Sequence, residues 1–210
     1  MILRQIERIR RSASLDGIVV ATSTDSSDDR LAELLEDNDI EVRRGSLDNV
    51  LARFLQVVDE FNPDTVVRLT GDNPLTDPDV IDLVVGAHNA SSADYSSNSR
   101  VRTFPYGLDV ECTRAGALRE LTRFDLRPDE LEHVTLGIYT RPEIFDINSV
   151  TQPVDHSDLR WSVDYPADFE FAQSVYLELY ESNPLFNQQD VLDLIDRRPE
   201  LRRAVTDVPT

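Results

Sequence analysis

Two aspartates, Asp72 and Asp164, each follow a run of β-forming residues and precede a helix that begins with proline. Open α/β sheets bind ligands at the carboxyl ends of their strands, so two such carboxylates can converge on one cation although they are far apart in sequence. Mg²⁺ takes one or two protein carboxylates and fills its octahedral shell with water and phosphate oxygens. The pair therefore predicts a Mg²⁺ site, and Gly71 beside Asp72 would let the backbone approach a ligand.

Each of these acidic residues also has a structural interpretation. Asp72 can form an Asx turn, and the sequence alone favours neither interpretation for it. For Asp77 the favoured role is the N-cap of the following helix, and for Asp168 it is stabilisation of a first helical turn through the helix dipole.

Alternating strands and helices must position these aspartates. In the first half, strands are predicted at 17–22, 41–43 and 65–69, and helices at 2–12, 27–37, 47–58 and 79–89. This alternation predicts an α/β fold with a parallel sheet and helices on both faces. The second half is less regular, with strands predicted at 108–112, 144–150 and 159–163 and helices at 114–123, 129–139, 166–181 and 188–196. Because no linker, repeat or low-complexity stretch interrupts the pattern, we predict one domain over 1–210.

Composition argues against several classes of protein. The chain has 40 acidic and 21 basic residues, a net charge of −19. Such a chain repels phosphate backbones and anionic lipid, so we expect no nucleic-acid or membrane partner. Its apolar runs are far shorter than a membrane-spanning helix needs, and the N-terminal segment lacks the apolar stretch of a signal peptide. Cys112 is the only cysteine, so a reducing, cytoplasmic location is expected.

The kind of charge is also unusual. All 21 basic residues are arginine, and 26 of the 40 acidic residues are aspartate. An aspartate-rich surface without lysine stays soluble where salt screens repulsion, which predicts a halophilic protein. A genome rich in G and C is the alternative, although it accounts for the missing lysine and not for the excess of acid.

Seven segments, taken in order, resemble the cytidylyltransferase family of the spore-coat polysaccharide SpsF type, which is related to acylneuraminate and KDO cytidylyltransferases. They are GIVVATS at 17–23, RGSLDNVLARF at 44–54, VRLTGDNPL at 67–75, DYSSN at 94–98, FPYGLDVE at 104–111, EHVT at 132–135 and LRWSVDYP at 159–166. The resemblance implies a three-layer, Rossmann-like, GT-A-like nucleotidyltransferase fold with a mixed, mostly parallel sheet. It also implies transfer of CMP from CTP to an acidic sugar, a homodimer, and Mg²⁺ held by Asp72 and Asp164.

The resemblance also suggests which residues bind the nucleotide. Arg44, Gly45 and Ser46 match the family's nucleotide-side loop and could offer N–H and hydroxyl donors, although Ser46 is equally well explained as a helix N-cap. Arg68 could meet a phosphate, orient Asp72 or form a buried structural pair.

The sugar-binding residues are expected in the irregular second half. The candidates cluster around Gly107, and a guanidinium there would suit a sugar carboxylate because it donates two parallel hydrogen bonds; they are Asn98, Arg102, Tyr106, Asp109 and Glu111. His133 is the candidate catalytic histidine, as a hydrogen-bond donor or an acid/base group, with a purely structural role as the alternative. His88 and His156 are predicted at the surface, Trp161 in sheet packing, and Cys112 as a small buried hydrophobe.

The chain departs from the family pattern at its start. Family members open with a strand and a triphosphate-binding loop resembling Gln-Ala-Arg-X-Gly-Ser-Thr-Arg-Leu-Pro-Gly-Lys, whereas Met1-Ile2-Leu3 already matches the helix after that loop. We therefore expect the sheet to lack its usual first strand, through a misassigned start codon or truncation. The enzyme is expected in its full-length form, and the chain as given can be inactive. A non-catalytic binding module is one alternative, and a GT-A glycosyltransferase, for which Thr70-Gly71-Asp72 lacks the usual paired acids, is a weaker one.

Overall fold

The computed structural model describes residues 1–207, and within them short strands alternate with helices. The helices are α1 Ile2–Ile9, α2 Asp29–Glu36, α3 Val50–Phe61, α4 Pro78–Ala90, α5 Ala115–Glu120, α6 Pro128–Glu132, α7 Leu136–Tyr139, α8 Pro166–Leu179 and α9 Gln188–Arg197. The strands are β1 Val20–Ser23, β2 Val42–Gly45, β3 Thr65–Arg68, β4 Tyr95–Ser97, β5 Glu111–Arg114 and β6 Ile147–Ser149. Single 3₁₀ turns lie at Ser26–Asp28, Leu121–Arg123, Pro199–Leu201 and Val205–Asp207.

The strands form a parallel pair, β1–β2, and a four-stranded sheet in the order β3-β5-β4-β6. In the larger sheet β5 is antiparallel to both β3 and β4, while β4 and β6 are parallel. The α/β class and the mixed sheet are thus confirmed, with two parallel and two antiparallel ladders among the described residues.

Apolar side chains cover both faces of the larger sheet. In β3, Val66 packs into a cluster with α3, α5 and α7, whereas Val67 packs into a cluster with α4, α8 and α9. Successive strand residues point to opposite faces, so this split shows helical layers on the two sides of the sheet. Cys112 is fully buried, as predicted, and burial raises the pKa of its thiol to about 12.

Two predicted elements differ from those observed, and one observed strand was not predicted. The run 159–163 is not a strand of either sheet and forms only isolated bridges, Tyr106 with Arg160 and Leu159 with Ala204. The helix predicted at 129–139 is divided into α6 and α7 at Val134, whose φ is +39°. Strand β4 was missed because two of its three residues, Ser96 and Ser97, are polar although fully buried.

None of the helices within residues 1–207 has the length and apolar character needed to cross a membrane.

Candidate active site

The first candidate carboxylate, Asp72, lies in the loop between β3 and α4, residues 69–77, which we call the Asp72 loop. The Thr70 hydroxyl donates a hydrogen bond to Asp72 Oδ1. The Asn73 side-chain amide donates in turn to Thr70 Oγ1 at 2.9 Å. Asp77 caps α4 by accepting from the Asp79 N–H at 2.9 Å, as predicted.

Two side chains of helix α1 form hydrogen bonds with the Asp72 loop. Gln5 is buried and its Nε2 donates to the Thr70 carbonyl oxygen at 2.7 Å and to Thr76 Oγ1 at 3.2 Å. The buried Arg8 donates from Nε to the Thr76 carbonyl oxygen at 2.7 Å. Both side chains satisfy buried oxygen atoms of the loop, and so they fix its backbone.

The second candidate carboxylate, Asp164, lies in residues 160–168, which we call the Asp164 turn. Arg160 forms an ion pair with Asp164 Oδ2, and the Ser162 hydroxyl donates to the same oxygen at 3.4 Å. Asp168, on the first turn of α8, accepts from the N–H groups of Asp164 at 3.2 Å and Tyr165 at 3.1 Å. Asp168 therefore closes the turn in addition to lying at the positive end of the helix dipole.

The Asp72 loop and the Asp164 turn are directly bonded to each other. The Val163 N–H donates to the Asp72 carbonyl oxygen at 2.8 Å. Within residues 1–207, Asp72 Oδ2 and Asp164 Oδ1 accept no hydrogen bond, so each carboxylate keeps one oxygen for a ligand.

These two carboxylates suit Mg²⁺ better than a metal that proteins enclose fully. Among residues 1–207 there is no cluster of three or more His, Cys, Asp or Glu side chains that could hold a metal. Mg²⁺ needs no such cluster, because one or two carboxylates suffice when phosphate oxygens and water supply the other ligands. The donor set of Asp72 and Asp164 therefore fits a magnesium ion that arrives with a phosphorylated substrate.

A pocket of about 280 Å³ opens beside the Asp72 loop. Thr70 connects the two, since it lines the pocket and donates to Asp72. The lining carries three guanidinium groups and two carboxylates, together with one imidazole; it consists of Arg68, Thr70, Ser99, Arg100, Arg102, Asp109, Glu111, His133, Thr135 and Tyr139. In a chain of charge −19, this excess of cationic groups favours an anionic ligand.

Glu111 joins three side chains at one edge of the pocket. It pairs with Arg68, and it accepts hydrogen bonds from the hydroxyls of Tyr95 at 2.7 Å and Thr135 at 2.5 Å. Burial raises the pKa of the Tyr95 hydroxyl, and the charge of Glu111 adds to that shift. Of the three roles predicted for Arg68, the structure shows the structural pair, which Arg68 forms with Glu111. The Arg68 side chain nevertheless lines the pocket.

The guanidinium of Arg102, predicted to meet a sugar carboxylate, is paired within the protein. It donates to both oxygens of Asp109, at 2.5 and 3.0 Å, and lies 3.7 Å from the centre of the Tyr106 ring. Asn98 is fully buried, and it bonds the backbone of Leu108 and Val110 rather than lining the pocket. Arg102 and Asp109 therefore form part of the pocket wall, whereas Asn98 and Tyr106 lie behind or beside it.

Arg100 was missed by the sequence analysis. It is exposed, lines the pocket, and lies with its guanidinium carbon 4.1 Å from the centre of the Tyr139 ring. No residue among 1–207 forms an ion pair or a side-chain hydrogen bond with it. Its position two residues before Arg102 was the available signal, but the sequence does not show which of the two pairs with Asp109.

A strained residue sets the position of His133. The φ of +39° at the fully buried Val134 is rare for a β-branched side chain. The two residues that flank Val134, His133 and Thr135, both line the pocket. Such strain persists only where surrounding packing enforces it, and it is common at functional sites.

The Arg44-Gly45-Ser46 turn lies outside this pocket, and its side chains are used within the fold. Arg44 donates to the Ser23 carbonyl oxygen at 2.7 Å and pairs with Asp29 at 2.7 Å. Asn49, not Ser46, is the N-cap of α3, and Ser46 Oγ accepts from the Asn49 N–H at 3.1 Å. The N-cap interpretation of Ser46 is therefore wrong, and its role toward a nucleotide stays a prediction.

Comparisons with known proteins agree with the fold. A family model described as Cytidylyltransferase matches residues 1–190. The Bacillus subtilis protein named Spore coat polysaccharide biosynthesis protein SpsF is 30% identical over 202 residues, covering 93% of this chain and 82% of that protein. An uncharacterized protein of Methanocaldococcus jannaschii is 31% identical over 207 residues, covering 97% of this chain and 82% of its own length.

Solved structures give the same picture. A cytidylyltransferase from Leptospira borgpetersenii superposes with a TM-score of 0.90 at 26% identity, covering 100% of this chain and 87% of that one. CMP:2-keto-3-deoxy-manno-octonic acid synthetase, solved with CTP, superposes with a TM-score of 0.62 at 15% identity, covering 85% of this chain and 88% of its own. At 15% identity, the similarity to the synthetase shows a shared fold and nothing more.

Proposed function

This chain belongs to the cytidylyltransferase family, and from that premise we propose that it transfers CMP from CTP to an acidic sugar. In the reaction a sugar hydroxyl oxygen bonds to the α-phosphorus of CTP, the bond from that phosphorus to the bridging oxygen breaks, and pyrophosphate leaves. The CMP-sugar would serve the synthesis of a surface polysaccharide, as the name of the Bacillus subtilis relative suggests.

The pocket beside the Asp72 loop carries this proposal. It combines an excess of guanidinium groups with Arg100, which has no ion-pair partner among residues 1–207, and it reaches Asp72 through Thr70. An acidic sugar has a carboxylate for Arg100 and hydroxyls for the polar lining, whereas a neutral sugar would leave Arg100 without a partner. The acidic acceptor is therefore the one that the charges of the pocket support.

Asp72 and Asp164 are the residues that would hold Mg²⁺, and a bound Mg²⁺ supplies positive charge to the phosphate oxygens of CTP. Thr70 keeps Asp72 oriented by donating to its Oδ1. In this proposal His133, which lines the pocket, accepts the proton of the attacking hydroxyl. Gly45 and Ser46 remain the proposed contacts on the nucleotide side.

The test measures pyrophosphate release from CTP and Mg²⁺ with a panel of acceptors: sialic, legionaminic, pseudaminic and 3-deoxy-octulosonic acids, each beside a neutral sugar of similar size. We expect release only with an acidic acceptor. Release with neutral sugars alone would contradict the acidic substrate, and no release with any acceptor would favour the non-catalytic module.

Arg100→Gln is the variant that isolates the carboxylate. It should raise KM for the acidic sugar about tenfold or more and leave KM for CTP within about twofold, because a charge-assisted hydrogen bond contributes ~1.5–3 kcal/mol. Arg123→Gln, at an arginine whose side chain is 75% exposed, is the matched control and should change neither constant. An unchanged sugar KM in Arg100→Gln would refute the assignment of Arg100.

A further inference from the structure

We propose that the guanidinium of Arg203, in the segment after α9, positions Asp164 for its ligand by holding Asp168. This inference rests on the proposed role of Asp164. Arg203 Nη2 donates to Asp168 Oδ1 at 2.9 Å, and the Asp168 carboxylate is only 1% exposed. The other oxygen, Asp168 Oδ2, is the one that accepts from the N–H groups of Asp164 and Tyr165. One buried carboxylate thus connects Arg203 to the backbone of the Asp164 turn.

The backbone of the same segment reinforces this connection. Arg203 accepts from the Arg160 N–H at 3.0 Å, and the Val205 N–H donates to the Asp158 carbonyl oxygen at 2.9 Å. Ala204 forms an antiparallel bridge with Leu159. Residues 203–205 therefore run beside residues 158–160, which lead directly into the Asp164 turn.

The distribution of charge explains why Arg160 alone does not balance the carboxylates of Asp164 and Asp168. Arg160 is shared, because it pairs with Asp164 and its Nε lies 3.4 Å from Asp168 Oδ2. A buried carboxylate is stable only while it is paired and hydrogen-bonded. With Arg203 on Asp168, the buried charge of Asp168 does not depend on Arg160 alone, so Arg160 can stay with Asp164 Oδ2 while Asp164 Oδ1 meets a ligand. Without Arg203, Arg160 is required at both carboxylates.

Arg203, one end of this contact, lies beyond the residues that the family model matches. The family match ends at residue 190, whereas the contact joins Asp168 to a residue 35 positions later. The proposed role of Arg203 therefore does not follow from the family match.

The test compares Arg203→Met with Arg202→Met, in which the neighbouring arginine loses its exposed pair with Asp158. The first measurement is amide hydrogen exchange at Asp164 and Tyr165 in the ligand-free protein. The second is the Mg²⁺ concentration that half-saturates CTP binding, measured beside the affinity for CTP in EDTA.

We expect Arg203→Met to speed exchange at both amides about tenfold and to raise the required Mg²⁺ concentration about fivefold. Its affinity for CTP without metal should stay within about twofold of the wild-type value. Arg202→Met should leave all three values within about twofold.

Exchange at wild-type rates in Arg203→Met would overturn the proposal, and so would faster exchange with an unchanged Mg²⁺ requirement, which would leave Arg203 a merely structural residue. Should Arg203→Met fail to fold, Arg203→Lys keeps the charge without the planar fork. It should then show the same two shifts at smaller size, and wild-type values would contradict the need for the guanidinium. A wild-type chain that binds CTP without any Mg²⁺ dependence would instead count against the proposed function, and the exchange rates would still decide whether Arg203 holds the turn.

Discussion

At the Asp72 loop, the buried side chains that fix the backbone donate to uncharged oxygens: Gln5 to the carbonyl of Thr70 and Arg8 to that of Thr76. At the Asp164 turn the same task falls to a carboxylate between two guanidinium groups, those of Arg160 and Arg203. A hydrogen bond to a carbonyl contributes about 1 kcal/mol, whereas loss of one partner of a buried ion pair costs ~3–5 kcal/mol. The two halves of the site therefore have different tolerances to substitution.

A buried aspartate in each region shows the difference most directly. Asp77 and Asp168 are each 1% exposed, and each bonds the backbone at the start of a helix. Burial raises the pKa of Asp77, which accepts from the N–H groups of Gln188 and Asp79. Burial would also raise the pKa of Asp168, but hydrogen bonds from Arg203 and from two backbone N–H groups lower it below its usual value. Two aspartates of equal exposure thus have opposite shifts: desolvation is the larger effect at Asp77, whereas at Asp168 the hydrogen bonds from Arg203 and from the backbone outweigh it.

The largest predicted effect tests whether the two regions nevertheless act as one site. Asp72→Asn and Asp164→Asn should each lower the turnover of CTP by about a hundredfold or more, since each removes charge that holds Mg²⁺ and a bound metal supplies several kcal/mol. Both carboxylates are at least partly exposed, so stability should change by less than about 1 kcal/mol. Turnover by Asp164→Asn at the wild-type rate would separate the Asp164 turn from the chemistry.

The next effect concerns stability. Asp168→Asn leaves the guanidinium groups of Arg160 and Arg203 without their shared charge, so we expect a loss of about 3 kcal/mol in the free energy of unfolding. Asp77→Asn keeps a good N-cap residue and removes a buried charge, so its loss should stay near 1 kcal/mol. Urea unfolding measures both, with Asp196→Asn as the exposed control. Equal losses at Asp77 and Asp168 would contradict the contrast between the two regions.

Two glycines allow a smaller, steric comparison. Gly107 has a φ of +100°, and an added Cβ would lie 2.5 Å from the backbone of Trp161 and Ser162 at the entry to the Asp164 turn. Gly71 has room, since the nearest atom to its Cβ would be Ile2 Cδ1 at 3.8 Å. Gly107→Ala should therefore destabilise the fold by about 2 kcal/mol, and Gly71→Ala by less than about 0.5 kcal/mol.

Thermal or urea unfolding of the two glycine variants decides this. If Gly71→Ala is as stable as the wild type and still binds CTP less tightly, the close approach of ligand to backbone predicted for Gly71 is supported. Unchanged CTP binding would mean that Gly71 is an ordinary loop residue.

The sequence predicted the Asp72 loop well because its signals are local. Apolar periodicity marked the strand before it, and Asp77 followed by Pro78 marked the helix after it. The contact between the two regions, from the Val163 N–H to the Asp72 oxygen, was anticipated only as convergence of two strand ends.

The missed features depend on partners that are distant in sequence. His88 was predicted at the surface, and this was wrong: it is buried and lies 2.9 Å from Ser96 Oγ, on the polar strand β4 that apolar periodicity does not reveal. The pairing of Asp109 with Arg102 rather than Arg100, and of Asp168 with Arg203, is equally invisible in a linear pattern. An excess of charged residues gives each carboxylate many candidate arginines, and only the fold selects among them.

The smallest predicted effect concerns pH, and it tests the opposite pKa shifts of the two buried aspartates. The pKa of Asp77 is raised in the folded protein, so its contribution to stability is present at acidic pH and is lost as pH rises through the folded pKa. The stability of the wild type relative to Asp77→Asn should therefore increase as pH falls from 7 toward 4.

For Asp168 the folded pKa is lowered, so its contribution is present above the unfolded pKa and is lost as pH falls through the folded pKa. Relative to Asp168→Asn, the wild type should therefore keep its advantage down to about pH 4 and lose stability only below that pH. Urea unfolding in EDTA at constant ionic strength gives both differences, and two slopes of the same sign would show that Arg8, near Asp77, compensates its charge as fully as Arg203 compensates that of Asp168.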